Sequence, residues 1–294
     1  MNILVSGASG FIGSSLVEFL TKKGHRVTRL VRSQPKSDEV YWDPTAGKLD
    51  ATGLDGIDGV VHLAGESIVG RWTAEKKKKI LESRVKGTTL LCDALAKLTK
   101  KPKTFVCASA MGYYGDRGEE LLTEESASGK GFLAEVCRAW EAATEPAKKS
   151  GIRVVNLRFG MILCSKGGAL KKMLLPFKMG LGGKLGNGNQ YMSWISLEDI
   201  VGIILYALLT DILRGPVNAV APNPVRNIEF TKTLGRVLKR PVLFPMPAAA
   251  ARLIFGQMAD ELLLASTRVK PAGLLAANYP FRHPNLEEAL REII

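Results

Sequence analysis

Three glycines in the stretch Val5-Ser-Gly7-Ala-Ser-Gly10-Phe-Ile-Gly13 stand between a short apolar run, residues 2–6, and an amphipathic run from Phe11 to Leu20. Residues without a Cβ let a strand-to-helix turn close tightly. They also let backbone N–H groups touch a pyrophosphate, which then lies on the positive end of the helix dipole. Ser9, Phe11 and Ile12 fall in the same turn and complete this candidate cofactor site. A tight turn without a ligand is the competing reading; the position between the first strand and the first helix favours the nucleotide. The next apolar run, Arg26 to Val31, ends at Arg32, with no acid before Asp38. An Asp or Glu there would accept bonds from the ribose 2′-hydroxyl of NAD, whereas a guanidinium grips a 2′-phosphate with two charge-assisted bonds. The expected cofactor is therefore NADP(H), against the alternative of an exposed loop arginine.

A third buried run, Gly59-Val-Val-His-Leu-Ala-Gly65, ends in Leu63-Ala64-Gly65-Glu66, small residues that let the backbone pass close to a nicotinamide ribose. Arg84, in the following helix, is a cation in reach of the cofactor from its far side, or equally a charge on a basic surface.

These residues need elements to hold them. Strands are expected at 2–6, 26–31, 59–65, 104–109 and 153–157, and helices from Phe11, over 74–98 and from about Phe132 to Ser150. Strands alternating with helices imply an α/β Rossmann-type fold, a doubly wound parallel sheet covered on both faces. Beyond residue 165 glycines at 167, 168, 180, 182, 183, 186 and 188 suit an irregular segment, followed by a helix over Leu197–Leu209 and a proline-broken tail. The chain divides on this reading into a cofactor-binding core, 1–165, and a smaller C-terminal substrate cap, 166–294.

Composition narrows the function. The 294 residues are 46% hydrophobic and 23% charged, ordinary globular usage that excludes disorder and stapled mini-folds. No stretch approaches the ~18 apolar residues of a membrane span, and the glycines near the N-terminus interrupt any signal peptide, so a soluble, cytoplasmic protein is expected. Cys92, Cys107, Cys137 and Cys164 form no CxxC pair, and His25, His62 and His283 are the only imidazoles. Neither a metal site nor a Ser-His-Asp triad is expected, and His62 reads as a core histidine. The net charge of +13 is spread over scattered lysine pairs with no aromatic-studded strand beside them, so a small-molecule substrate is expected rather than nucleic acid. The oligomeric state stays open.

With those residues in place, the chain resembles the extended short-chain dehydrogenase/reductases. More narrowly it is similar to their atypical, epimerase-like group of the cell-division-inhibitor-like type, in which a fused C-terminal segment, here about 240–294, is characteristic. The likeness rests on Gly7-x-x-Gly10-x-x-Gly13, Leu63-Ala-Gly-Glu66, Ser109-Ala-Met-Gly-Tyr-Tyr-Gly115, Trp140-Glu141, Leu175-Pro-Phe-Lys-Met-Gly-Leu-Gly-Gly183, Tyr191-Met-Ser-Trp-Ile195, Gly215 to Pro224 and Gly235 to Pro241. Ordinary members of the superfamily use a Tyr-x-x-x-Lys pair, whose ammonium lowers the phenol pKa. No tyrosine here has a lysine four residues on, and Leu133-Ala-Glu-Val-Cys137 stands where the pair belongs. Ser109, Tyr113 and Tyr114 are the substitute catalytic candidates, with Glu66 and Glu135 behind them; each has a packing role as its competitor. Gly182 to Gly188, with Asn187, Asn189, Gln190 and Trp194, reads as a loop lining the cofactor or as a plain surface loop. The expectation is an NADP(H)-dependent oxidoreductase or epimerase-like enzyme acting on a small carbonyl or sugar-like compound. The alternative is a non-catalytic sensor of NADP(H), and the weakest reading is an RNA or membrane-surface adaptor.

Overall fold

Runs of branched residues too short for helices become central strands buried on both faces, and shorter, partly exposed segments add edge strands and small pairs. In the computed structural model, which describes residues 1–294, these are β1 (Asn2–Ser6), β2 (Arg26–Val31), β3 (Glu39–Asp43), β4 (Lys48–Leu49), β5 (Gly59–His62), β6 (Thr104–Ala110), β7 (Leu121–Leu122), β8 (Arg153–Phe159), β9 (Met161–Leu163), β10 (Tyr191–Met192), β11 (Trp194–Ser196), β12 (Gly215–Ala219), β13 (Val225–Arg226) and β14 (Arg268–Val269). The helices are α1 (Phe11–Lys22), α2 (Ala74–Lys97), α3 (Phe132–Ala142), α4 (Glu145–Lys149), α5 (Gly168–Lys178), α6 (Leu197–Leu209), α7 (Asn227–Leu238), α8 (Ala248–Phe255), α9 (Ala272–Ala276) and α10 (Leu286–Ile293).

Eight strands form one sheet in the order β12-β8-β6-β5-β1-β2-β3-β4, parallel throughout except for the β3–β4 pair. The alternation of side chains along β1 shows how it is covered. Ile3 and Val5 pack with Leu16 and Leu20 of α1 and Ile203 of α6, while Leu4 packs on the other face with Leu91 and Leu95 of α2 and Trp140 of α3. Chain order reverses between β1 and β5, so the crevice for a ligand opens where their carboxyl ends part.

Four features differ from the sequence reading. The helix expected over 132–150 breaks into α3 and α4, because Pro146 brings no N–H and starts a new first turn. The third strand stops at His62: the Leu63 N–H is shared between the Ser6 carbonyl at 3.3 Å and the Ser6 hydroxyl at 3.1 Å, and the Ala64 N–H turns to the hydroxyl. Residues 168–178, expected to be irregular, form α5, whose Leu170, Leu174 and Phe177 recur at helical spacing and are buried. The sheet also runs past residue 165: β12 lies beside β8, and α6 packs on α1, so residues 197–219 build the core layers.

The C-terminal stretch is tied back to that core by Asp199. Its buried carboxylate accepts the Ser196 hydroxyl at 2.8 Å and the backbone N–H groups of Arg282 at 2.8 Å and His283 at 3.1 Å.

Candidate active site

The glycine turn lies at the β1–β5 crevice. Gly7 has φ +69°, and a Cβ on it would stand 2.9 Å from the Ala64 nitrogen; one on Gly13 would stand 2.1 Å from the Gly7 oxygen. Only glycine at both positions lets β1, the turn and the Leu63–Ala64 backbone close together. Helix α1 starts at Gly10 with no side-chain cap and no acid in its first turn, and Ser9 beside it is exposed. Its first N–H groups and positive dipole end are left for an anion. The Phe11 ring packs against Gly167 and Gly168.

Ser6 welds the two strand ends. Its oxygen accepts N–H bonds from Leu63 at 3.1 Å and Ala64 at 3.3 Å and lies 2.6 Å from Nδ1 of His62. With both lone pairs engaged, the hydroxyl donates to Nδ1, leaving the proton on Nε2, which has no partner. Burial, with a contribution from the Arg84 charge, lowers the His62 pKa to about 3. His62 is thus a neutral core residue between Trp42 and Phe105.

Arg32 follows the end of β2, is exposed, and makes no ion pair or hydrogen bond within the protein. Arg84 is held on the rim. Its Nη1 donates to the Glu66 and Ile80 carbonyls at 2.9 and 3.1 Å, and its guanidinium stacks 4.9 Å from the Trp140 ring and 3.3 Å from where a Cβ on Gly65 would stand. The Glu66 carboxylate is bonded by Lys76 at 2.5 Å, and that bond holds its pKa below the ordinary value, which suits ion pairing and not acid catalysis. Glu135 points to solvent.

At the end of β6 the three hydroxyl candidates part company. Ser109 is 2% exposed and donates to Glu141 at 2.7 Å. Glu141 is paired with Arg158 of β8 through two bonds of 2.8 Å, and Arg158 Nη1 donates to the Tyr114 hydroxyl at 2.9 Å. Tyr114, fully buried, donates in turn to Asn218 Oδ1 at 2.6 Å. Burial raises the Tyr114 pKa although Arg158 opposes it, and burial opposes the charge on Arg158 while Glu141 more than restores it. The sequence reading offers Ser109 and Tyr114 as donors to a substrate. Both are instead spent inside a closed network, because a cation inside the sheet demands every neighbouring acceptor. Tyr113 is different: it is half-buried, its ring covers Arg158 at 3.5 Å, and its hydroxyl has no protein partner.

Sequence reasoning missed Arg158, Glu141 as its partner, and Asn218. The signal was an arginine in the interior of a strand that the fold must bury, since such a charge is never buried alone.

Leu133 and Cys137 lie four apart on the α3 face that meets the end of β6: the Cys137 thiol contacts the Ala110 carbonyl at 3.6 Å, and Leu133 Cβ is 3.0 Å from where a Cβ on Gly112 would be. Burial pushes the Cys137 thiol up to about 11, so neither residue can exchange a proton near neutrality. Beside Gly112 and Leu133 opens a cavity of about 300 Å³ under the C-terminal segment, with Lys130, Asp116, Arg252 and Glu261 in its wall. Glu261 also accepts the Phe132 and Leu133 N–H groups at 3.1 and 2.8 Å, capping α3 from 128 residues away.

The 182–190 loop is pinned rather than free. Asn227 Oδ1 accepts the Leu185 N–H at 2.8 Å, the Met246 carbonyl accepts the Gly186 N–H at 2.9 Å, and Gln190 donates to the Leu185 and Leu263 carbonyls at 3.1 and 3.2 Å. Trp194 is fully buried, its N–H bonded to the Asn223 carbonyl. Gln190 and Trp194 therefore hold structure instead of lining a ligand.

Comparison with known proteins agrees with this architecture. A family model described as NAD dependent epimerase/dehydratase family matches residues 3–218, and a domain of unknown function, DUF1731, matches residues 246–293. The epimerase family protein Mb2239 of Mycobacterium bovis is 42% identical over 290 residues, covering 98% of this chain and 96% of its own. The human epimerase family protein SDR39U1 is 38% identical, with both chains covered in full. The crystal structure of human SDR39U1 (isoform 2) with NADPH superposes with a TM-score of 0.92 at 37% identity, covering 100% of this chain and 99% of that one. UDP-N-acetylglucosamine 4-epimerase from Bacillus cereus, 20% identical with a TM-score of 0.78, shares the fold. Matched by the family model over most of its length and aligned end to end with these relatives, the chain belongs to the NAD dependent epimerase/dehydratase family.

Proposed function

We propose that the chain binds NADP(H) and moves hydride between its nicotinamide and a small carbonyl or carbinol compound held under the C-terminal segment. The observation that carries this is the pairing of an uncapped glycine turn with an exposed, unpaired Arg32 at the end of β2. The turn offers N–H groups to a pyrophosphate, and Arg32 stands where a 2′-phosphate distinguishes NADP from NAD. Gly7, Ser9, Gly10, Phe11, Ile12 and Gly13 form the cradle; Leu63, Ala64, Gly65, Glu66 and Arg84 form the wall. The relative crystallised with NADPH supports the same cofactor. NADPH supplies the hydride; the chain has to orient the nicotinamide, exclude water and offer a proton to the substrate oxygen.

For that proton Tyr113 is the best placed of the three hydroxyls, since Ser109 and Tyr114 are occupied. The cavity of about 300 Å³ beside Gly112 and Leu133 gives room for a compact substrate. Calorimetric titration tests the cofactor: NADPH should bind, and Arg32→Ala should weaken it roughly ten- to hundred-fold, the worth of charge-assisted bonds, while leaving NADH unchanged. Equal loss for both nucleotides would sink the assignment of Arg32.

A second reading, a sensor that holds NADP(H) without turnover, is favoured by Leu133 and Cys137 standing on the face where proton transfer would be organised. A panel of carbonyl compounds with NADPH separates the two. Turnover lost in Tyr113→Phe but kept in Ser109→Ala supports the enzyme; saturable NADPH binding with no turnover supports the sensor.

A further inference from the structure

Away from the cleft, α5 and the stretch before α8 join to expose large apolar side chains that nothing in the molecule covers. Leu175, Met179 and Leu181 are 67, 64 and 50% exposed, and Leu243 and Phe244 are 74 and 58% exposed. Leu175 and Met179 are four residues apart on one face at the end of α5. The two segments are bonded neighbours: the Phe244 N–H donates to the Gly182 carbonyl at 3.2 Å, the Arg240 Nε to the Lys178 carbonyl at 2.9 Å, and Pro241 lies against Gly180. The apolar tips therefore form one patch.

Its two segments carry only cations, of which Arg236 is paired with Glu287 of α10. Residues 166–184 include five lysines and residues 232–247 include Lys232, Arg236, Lys239 and Arg240, with no carboxylate in either stretch. Lys171, Lys172, Lys178, Lys239 and Arg240 are exposed and enter no ion pair. Contacts between proteins mix signs and deplete lysine at their centres. Apolar tips surrounded by long, unpaired cations suit a surface that is greasy below and anionic at the level of the ammonium groups, with the lysine stems reaching along the apolar ground.

We infer that this patch docks the protein on an anionic lipid surface. Leu243, Phe244, Leu175 and Met179 enter the boundary between headgroup and acyl chain, and the cations of the rim meet the lipid phosphates and carboxylates. The attachment is peripheral, since no helix is long and apolar enough to cross a membrane. It is independent of the cofactor assignment, because none of these residues belongs to the cleft.

Sedimentation of the full chain with phosphatidylcholine vesicles, with and without added phosphatidylserine, tests it. Binding is expected only with phosphatidylserine and should weaken as salt is raised. Lys171→Ala with Lys178→Ala, each worth about five-fold at such a surface, should lower binding about 25-fold. Leu243→Ser with Phe244→Ser should lower it on the order of ten-fold or more. Unchanged thermal unfolding of the variants, followed by circular dichroism, keeps these losses specific. The inference is overturned if phosphatidylserine vesicles leave the protein in the supernatant, if the apolar and lysine variants bind as the parent does, or if light scattering shows a dimer that Leu243→Ser with Phe244→Ser dissociates.

Discussion

Two neighbouring regions at the carboxyl edge of the sheet handle polar groups in opposite ways. At the end of β1 and β2 they are left open: α1 begins without a cap, Ser9 faces solvent, and Arg32 has no partner. At the end of β6 and β8 they are closed, with Ser109, Glu141, Arg158, Tyr114 and Asn218 bonded into one chain. An unmet donor at a surface costs little because water serves it; an unmet charge inside a sheet does not survive. On the function proposed above, openness marks the ligand site, and Ser109 and Tyr114, which look catalytic by position, are held in the network around Arg158 and Glu141.

The sharpest way to break the contrast is to remove one partner of the closed region. Arg158→Leu leaves the Glu141 carboxylate buried and unpaired and should cost about 3–5 kcal/mol of stability in urea titrations, with NADPH affinity of the folded fraction unchanged. Glu141→Leu with Arg158→Leu should recover most of that loss, because the desolvation goes with the pair. If Arg158→Leu folds normally and loses only activity, the network is functional and the contrast fails.

His62 sits under the seam between the regions and supplies a pH test. Its folded pKa, about 3, lies below the unfolded value of about 6.5, so the unfolded chain takes up the proton first as pH falls. The stabilisation is whole above pH 6.5 and is lost on acidification through that window, at about 1.4 kcal/mol per pH unit, reaching about 3 kcal/mol near pH 4. His62→Asn should flatten the acid limb of stability against pH by one proton. An unchanged slope would show that His62 does not carry it.

The two regions also differ in how far the sequence discloses them. The glycine turn is local: three glycines within seven residues, after a strand and before a helix, disclose the backbone and suggest its ligand, and the proposal for Arg32 comes from its place after the second strand. The closed network is spread over partners 32, 17, 44 and 104 residues apart. No spacing rule joins Ser109 to Asn218; only the sheet order β12-β8-β6 brings them together. α5 escaped for a different reason, since glycines at 167, 168 and 180 bracket it and Pro176 lies inside it, all signals of irregular chain. Proline there forfeits one bond to the Lys172 carbonyl, and the burial of Leu170, Leu174 and Phe177 holds the helix in spite of it.

Tyr114→Phe sharpens the contrast at smaller scale. It takes a donor from Asn218 and an acceptor from Arg158, both buried, and should destabilise by about 1–3 kcal/mol with no change in NADPH binding. Tyr113→Phe, which removes a hydroxyl with no protein partner, should leave urea stability within about 0.5 kcal/mol. Equal losses in the two variants would mean that Tyr113 is also structural.

The smallest effect belongs to the open region and tests why it is open. Gly10 is the N-cap of α1, in extended backbone at φ −74° and ψ 175° that other residues adopt, though a Cβ there would stand 3.1 Å from the Gly7 oxygen. In Gly10→Asn the amide oxygen can accept the first-turn N–H groups, which changes stability by only a few tenths of a kcal/mol relative to glycine. That same oxygen occupies the donors a pyrophosphate needs, so the ligand must displace it, at about 1 kcal/mol or five-fold in NADPH affinity. A protein selected for stability alone would carry the capped helix. If Gly10→Asn instead binds NADPH as tightly as the parent, the bare N-terminus is a property of the turn and not a provision for the ligand.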